Sequence, residues 1–123
     1  MYDQLERIAR AEFSDIIGDT HRLGRRAGID LKLRLTIKDG TFLDVWLSPD
    51  STRYSYHWEQ RARRGVIHRF DNAPDHPDIP TFPKHVHDGS ETVVRESSLP
   101  DDPCEALRTV LRFVREKLVP ASP

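Results

Sequence analysis

The sequence predicts an α+β fold: a four-stranded antiparallel β-meander flanked by an N-terminal and a C-terminal helix, with a long Pro/His-rich loop before the C-terminal helix. Three observations lead there. Apolar and polar residues alternate at a period of two in four runs between residues 31 and 71, the pattern of strands with one buried face. Apolar stripes at three- and four-residue spacing stand at both ends of the chain, as in amphipathic helices. Residues 72–90 carry no periodic apolar pattern at all.

Taken in order, Leu5, Ile8, Ala9, Phe13, Ile16 and Ile17 form the stripe of a helix over residues 1–18, and Gly18 is its stop. Asp19 to Gly28 is polar and basic, compatible with a helical extension or a loop. Leu31, Leu33, Leu35 and Ile37 then alternate with Lys32, Arg34, Thr36 and Lys38 as the first strand. Asp39-Gly40 signals a two-residue hairpin with positive φ at both positions. The second strand, Thr41 to Leu47, turns Leu43, Val45 and Leu47 inward, and Pro49-Asp50-Ser51 makes a turn.

In the third strand, Arg53 to Glu59, Tyr54, Tyr56 and Trp58 share one face and Ser55, His57 and Glu59 the other. The aromatic face is read as core, because a meander needs one buried face. A basic loop, Gln60 to Gly65, leads into the fourth strand, Val66 to Asp71. His68 falls beside Val66 and Phe70 and is read as a hydrogen-bonded core histidine. Pro74, Pro77, Pro80 and Pro83 recur every three residues, the repeat of polyproline II, with Ile79 and Phe82 as apolar pegs. In the helix over 102–119, Asp102 is the cap, Pro103 suits the first turn and Glu105 completes a capping box. Cys104, Leu107, Leu111, Val114 and Leu118 make its apolar stripe.

The 123 residues fit one domain, 1–123, able to bury a core without staples. The single cysteine excludes an internal disulfide and agrees with a reducing compartment. No apolar run approaches the roughly 20 residues of a membrane span, and the charged opening residues lack a signal-like run. A cytoplasmic location and no membrane partner are therefore expected. The net charge of −1 hides a basic middle: residues 21–70 carry 11 Lys/Arg and 5 Asp/Glu. That stretch is either a solvated sheet face or a surface for a polyanion such as RNA.

Five of the six histidines fall between positions 57 and 87, in a window shared with Arg69, Asp71, Asn72, Lys84 and Asp88. Imidazole serves as general acid or base near neutrality. The cluster accordingly suggests metal-independent RNA cleavage. His57, Arg69, Asp71, His85 and His87 would be catalytic; Asn72, Lys84, Arg63 and Arg64 would contact substrate. A basic side chain would stabilise charge on the phosphoryl oxygens. A metal-dependent hydrolase is the alternative suggested by His85-Val86-His87, with His76 or Asp88 as third ligand. The spacing matches no strong zinc signature, so no metal or other cofactor is assigned. A third reading makes the loop a rigid, non-enzymatic protein-docking surface that acts by sequestration.

Three blocks in this order, Tyr54-Ser55-Tyr56-His57-Trp58, Arg69-Phe70-Asp71-Asn72-Ala73-Pro74 and Thr81-Phe82-Pro83-Lys84-His85-Val86-His87-Asp88-Gly89, resemble the TumE-type toxin family of prokaryotic toxin–antitoxin modules. The resemblance covers about residues 30–118. It implies a growth-inhibiting toxin neutralised by a cognate antitoxin, commonly one with a helix-turn-helix DNA-binding domain. The family pattern matches at His57, Arg69, Asp71, Asn72, His76, His85 and His87. Around His76 and before His85 the sequence departs from the doubled histidines expected there.

Overall fold

The computed structural model describes residues 1–118; Val119, placed by the sequence at the end of the last helix, lies outside the described residues. Its elements are α1 (Tyr2–Glu12), β1 (Ile17–Leu23), β2 (Lys32–Ile37), β3 (Phe42–Leu47), β4 (Tyr54–Gln60), α2 (Arg61–Arg64), β5 (Val66–Asp71), β6 (His85–Gly89), β7 (Val94–Glu96) and α3 (Pro103–Leu118). The strands form one antiparallel sheet in the order β1 to β7, each bonded to its sequence neighbours. The expected meander is therefore present but has seven strands, not four. No helix among the described residues is long and apolar enough to cross a membrane.

Each missed strand, β1, and β6 and β7 within the expected loop, has a physical reason; β7, three residues with none buried, is too short to show an alternation. β1 is an edge strand, and of its seven residues only Ile17 is buried; polar, irregular edges resist pairing with other chains. It takes over the end of the expected first helix. Helix α1 stops at Glu12, and Ile16 and Ile17 donate backbone N–H bonds to Phe13 in the turn that follows. Phe13, Ile16 and Ile17 stay buried, but they reach the core from a turn and a strand. β6 alternates faithfully, yet its buried side holds His85 and His87, which an apolar-periodicity rule cannot count.

Two turn expectations also change. At the β2–β3 hairpin only Gly40 has positive φ, 95°. The Asp39 carboxylate instead accepts bonds from Thr41 N (2.9 Å) and Oγ1 (2.6 Å), closing a three-residue loop. The prolines do not line an extended edge. Backbone bonds from Ile79 to His76, Phe82 to Ile79 and Lys84 to Thr81 fold the segment into successive turns, whereas polyproline II has no internal bonds. Phe82, at 45% exposed, is no peg.

One face of the sheet carries the core. Leu33, Leu35, Ile37, Leu43, Val45, Tyr56 and Trp58 are at most 3% exposed and pack under α1 and α3. Leu5, Ile8 and Ala9 come from α1, and Leu107, Val110, Leu111 and Val114 from α3. The start of α3 is capped by Asp102, whose Oδ2 accepts the Glu105 N–H at 3.0 Å. The Glu105 carboxylate does not complete a capping box; it turns to Arg108 at 2.6 Å. Cys104 is only half-buried, with its thiol 3.8 Å from Gln4 Oε1.

His68 is the core histidine the alternation implied. It lies beside Trp58, with the Phe113 ring edge-on at 5.0 Å. Arg64 donates to Gln60 Oε1, which fixes the amide so that Gln60 Nε2 donates to His68 Nδ1 at 2.8 Å. The ring proton then sits on Nε2, 3.4 Å from Asp88 Oδ1. Burial holds the His68 pKa below its ordinary value; Lys117 and Arg64 add to this and Asp88 opposes it. A lowered folded-state pKa means stability that is complete above the unfolded value of about 6.5 and declines as pH falls below it. Chemical denaturation from neutral to mildly acidic pH is expected to show this decline. His68→Phe should flatten the slope, and an unchanged slope would refute the assignment.

Candidate active site

The sheet face opposite the helices carries the chemistry, because strand alternation sends the odd-numbered residues of β4, β5 and β6 there. Backbone pairing aligns them into rows. One row runs Arg34, Asp44, His57, Arg69, His87 across β2 to β6. The next runs Trp46, Ser55, Asp71, His85, Glu96 across β3 to β7. Cross-strand neighbours on one face interact directly, which sets Asp44 between Arg34 and His57, and Arg69 between His57 and His87.

Asp71 sits where the rows meet. Its carboxylate accepts Arg69 Nε at 3.1 Å and the Ala73 N–H at 3.0 Å. It lies 2.9 Å from His85 Nε2 and 3.5 Å from His87 Nε2. Asp71, His85 and His87 are 7%, 1% and 5% exposed. The segment 72–84 folds over them, bringing the His76 ring 4.6 Å from that of His85 and 5.4 Å from that of His87. Burial lowers the His87 pKa and outweighs the attraction of Asp71.

Hydrogen bonds fix the ring protons. His85 Nδ1 is 2.9 Å from the Pro83 carbonyl and His87 Nδ1 is 3.0 Å from the Glu91 carbonyl. A carbonyl only accepts, so both Nδ1 atoms carry hydrogen and both Nε2 atoms point to Asp71. The buried Nε2 of His85 has no hydrogen-bond partner among the described residues, despite its short distance to Asp71.

Toward the middle of the face the site opens. Arg69 donates from both terminal nitrogens to Glu91, each at 2.7 Å, and NH1 also approaches His57 Nδ1 at 3.4 Å. Hydrogen bonding to Arg69 pulls the Glu91 carboxyl down to about 2. His57, accepting at Nδ1, presents Nε2–H to Glu59 Oε1 at 3.2 Å. Beyond lies a shallow depression of about 410 Å³, bordered by Lys32, Arg34, Phe42, Trp46 and His57. Arg34 and Lys32 hold the Asp44 carboxyl below its usual range against the opposing effect of burial.

All five residues expected to be catalytic thus come together, but only His57 and Arg69 face the open side. The four expected at substrate do not join them. Asn72 accepts the Tyr54 N–H and donates to the Thr52 carbonyl, pinning the start of β4. Lys84 is taken by the Leu99 carbonyl and Asp101, both at 2.7 Å. Arg64 lies over the Trp58 ring on the helix side and pairs with Asp39, while Arg63 projects from the exposed turn α2. Asp88 is on the helix side too, bound to Arg95 and beside His68, so it is no ligand for the His85-Val86-His87 pair. The sequence reading passed over Glu91, Glu59 and Asp75; Glu91 stands in the turn between two unforeseen strands, where only the Asp88-Gly89 dipeptide hinted at a hairpin.

A family model described as Toxin TumE matches residues 5–118 of the chain. No curated protein and no solved structure matches it.

Proposed function

Because the chain belongs to the TumE toxin family, and is thus the toxin component of a toxin–antitoxin module with a cognate antitoxin, we propose that it inhibits growth by cleaving RNA at the sheet face around Arg69. One observation carries this reading. The Arg69 fork is fixed from behind by Asp71 and filled in front by the half-exposed Glu91 carboxylate, in the two-pronged geometry that also suits a phosphate. A substrate phosphate would replace Glu91 there.

The base and the leaving group fall on opposite sides of that phosphate. His57, held by Glu59, takes the proton of a ribose 2′-hydroxyl. The freed oxygen attacks phosphorus, the bond to the 5′-oxygen breaks, and its electron pair stays on that oxygen. A proton from His76, the partly exposed ring of the histidine cluster, goes to that oxygen. Arg69 balances the charge on the phosphoryl oxygens. His85 and His87 are too buried to meet the substrate directly, so their proposed part is to set Asp71 and, through it, Arg69. The exposed Trp46, with Lys32 and Arg34, supplies the mixed aromatic and basic surface that single-stranded RNA binds. An RNA substrate supports a cytoplasmic site of action, and the family resemblance supports an antitoxin of the kind that carries a helix-turn-helix domain.

Growth after induction tests the proposal. The wild-type chain is expected to arrest growth and, once purified, to leave RNA with cyclic phosphate ends. A His57→Ala, His85→Ala double variant should do neither. A folded double variant that arrests growth at full strength overturns the assignment.

A further inference from the structure

We propose that His76, His85 and His87, together with Asp71, bind one first-row divalent transition-metal ion, zinc by preference. The ligand atoms of His76, His85 and His87 lie within 4.8 Å of one another, and so do those of Asp71, Asp75 and His85. His85 belongs to both sets and so links the three rings to the carboxylates.

Three features of the cluster are those of a ligand shell. First, His85 Nε2 is fully buried, aimed into the cluster and without a hydrogen-bond partner among the described residues. Its Nδ1–H is already given to the Pro83 carbonyl at 2.9 Å, so in the neutral ring the inward nitrogen offers a bare lone pair. A lone pair 2.9 Å from a carboxylate oxygen repels it. A cation between the two turns that repulsion into two bonds. Ligand atoms bound at about 2.1 Å and at angles of 90–109° stand about 3.0–3.4 Å apart, close to the 2.9 Å and 3.5 Å that separate Asp71 from His85 and His87.

Second, both buried rings carry the outer bond that metal-bound histidines usually have. Nδ1–H of each donates to a backbone carbonyl, of Pro83 and of Glu91, which fixes the tautomer and aims Nε2 inward. Third, three imidazoles and a carboxylate are a borderline-soft donor set that suits zinc and its neighbours over magnesium or calcium. A protonated His85 paired with Asp71 would account for one short distance, but not for three rings converging, two of them with their outer nitrogens already committed.

The ion's binding stands on this geometry alone. Its task in catalysis rests on the proposed RNA cleavage and deepens it: the ion is the positive charge that meets the leaving oxygen, in place of a proton.

The test uses the full-length chain without a histidine tag. Metal content by mass spectrometry, then titration of chelator-treated protein with Zn²⁺ and with Co²⁺, is expected to give one ion per chain and a four-coordinate Co²⁺ spectrum. His76→Ala, on the half-exposed segment, and His85→Gln should each weaken binding by at least about 10²-fold; His21→Ala, at the surface, should not. Thermal melts of the metal-free variants show whether each still folds, and His76→Ala decides the question should His85→Gln fail to fold. A chain that stays metal-free when offered equimolar Zn²⁺, or binding untouched by His76→Ala, overturns the site. Zinc bound without any RNA cleavage upholds the site and removes the RNA reading. Full cleavage by metal-free protein refutes the ion's part in the reaction.

Discussion

Replacing Asp71 by asparagine is expected to abolish growth arrest and to slow RNA cleavage by at least about 10²-fold. Asparagine keeps the shape and one acceptor oxygen, so the Ala73 N–H keeps its partner. What goes is the charge that Arg69, His85 and His87 share at 3.1, 2.9 and 3.5 Å. Among the described residues, Glu91 would then be the one carboxylate still charged against Arg69, the partner a substrate phosphate must displace. Removing one member of a buried charged group costs roughly 3–5 kcal/mol, so a melting curve must accompany the activity measurement. Glu91→Gln is the companion variant, since Glu91 is half-exposed and its loss leaves Asp71 behind Arg69. Its cleavage should stay within about tenfold of wild type, because it removes a surface partner. A folded Asp71→Asn chain with undiminished arrest would place the chemistry elsewhere.

The largest loss of stability is expected from Trp58→Ala, about 3–5 kcal/mol. Trp58 is 1% exposed, donates its ring N–H to Thr41 Oγ1 at 2.8 Å, and meets the Phe113 edge at 6.2 Å. Its truncation leaves a cavity under α3 and orphans a buried hydroxyl acceptor. Domains of this size hold about 5–15 kcal/mol in all, so the variant should lose a large share of its margin and unfold at a much lower denaturant midpoint. Trp46→Ala is the internal comparison: the same residue type, 40% exposed on the opposite face, is expected to change stability by no more than about 0.5 kcal/mol. Similar losses at both positions would refute the assignment of faces.

The inner strands and the last helix were legible because their buried sides are apolar. Strands β2 to β5 follow the alternation from Leu31 to Asp71 closely, and α3 follows the stripe from Leu107 to Val114. The same rule was blind where burial is polar. In β6 the inward residues are His85 and His87, and in β1 only Ile17 is buried. The site was legible as a list of residues and not as a shape. His57, Arg69 and Asp71 lie on strands whose pairing the hairpins announce, so their convergence follows from alternation. That His76 would fold back over β6, or that Glu91 would close on Arg69, depends on the turns of segment 72–84 and of the β6–β7 hairpin. Those are set by hydrogen bonds such as Ser97 N–H to Thr81 Oγ1 at 2.9 Å, which no local pattern encodes.

The two helices that seal the core come from opposite ends of the chain. The strands can zip together one hairpin after another while the polypeptide is still being made, since each pairs with the one before it. Leu5, Ile8 and Ala9, however, have no finished partner surface until Leu107 to Val114 have left the ribosome. A nascent or prematurely terminated chain is thus a sheet with one greasy side bare, prone to capture by chaperones or proteases. Any cleavage that removes α3 should disarm the molecule as thoroughly as a change at its centre.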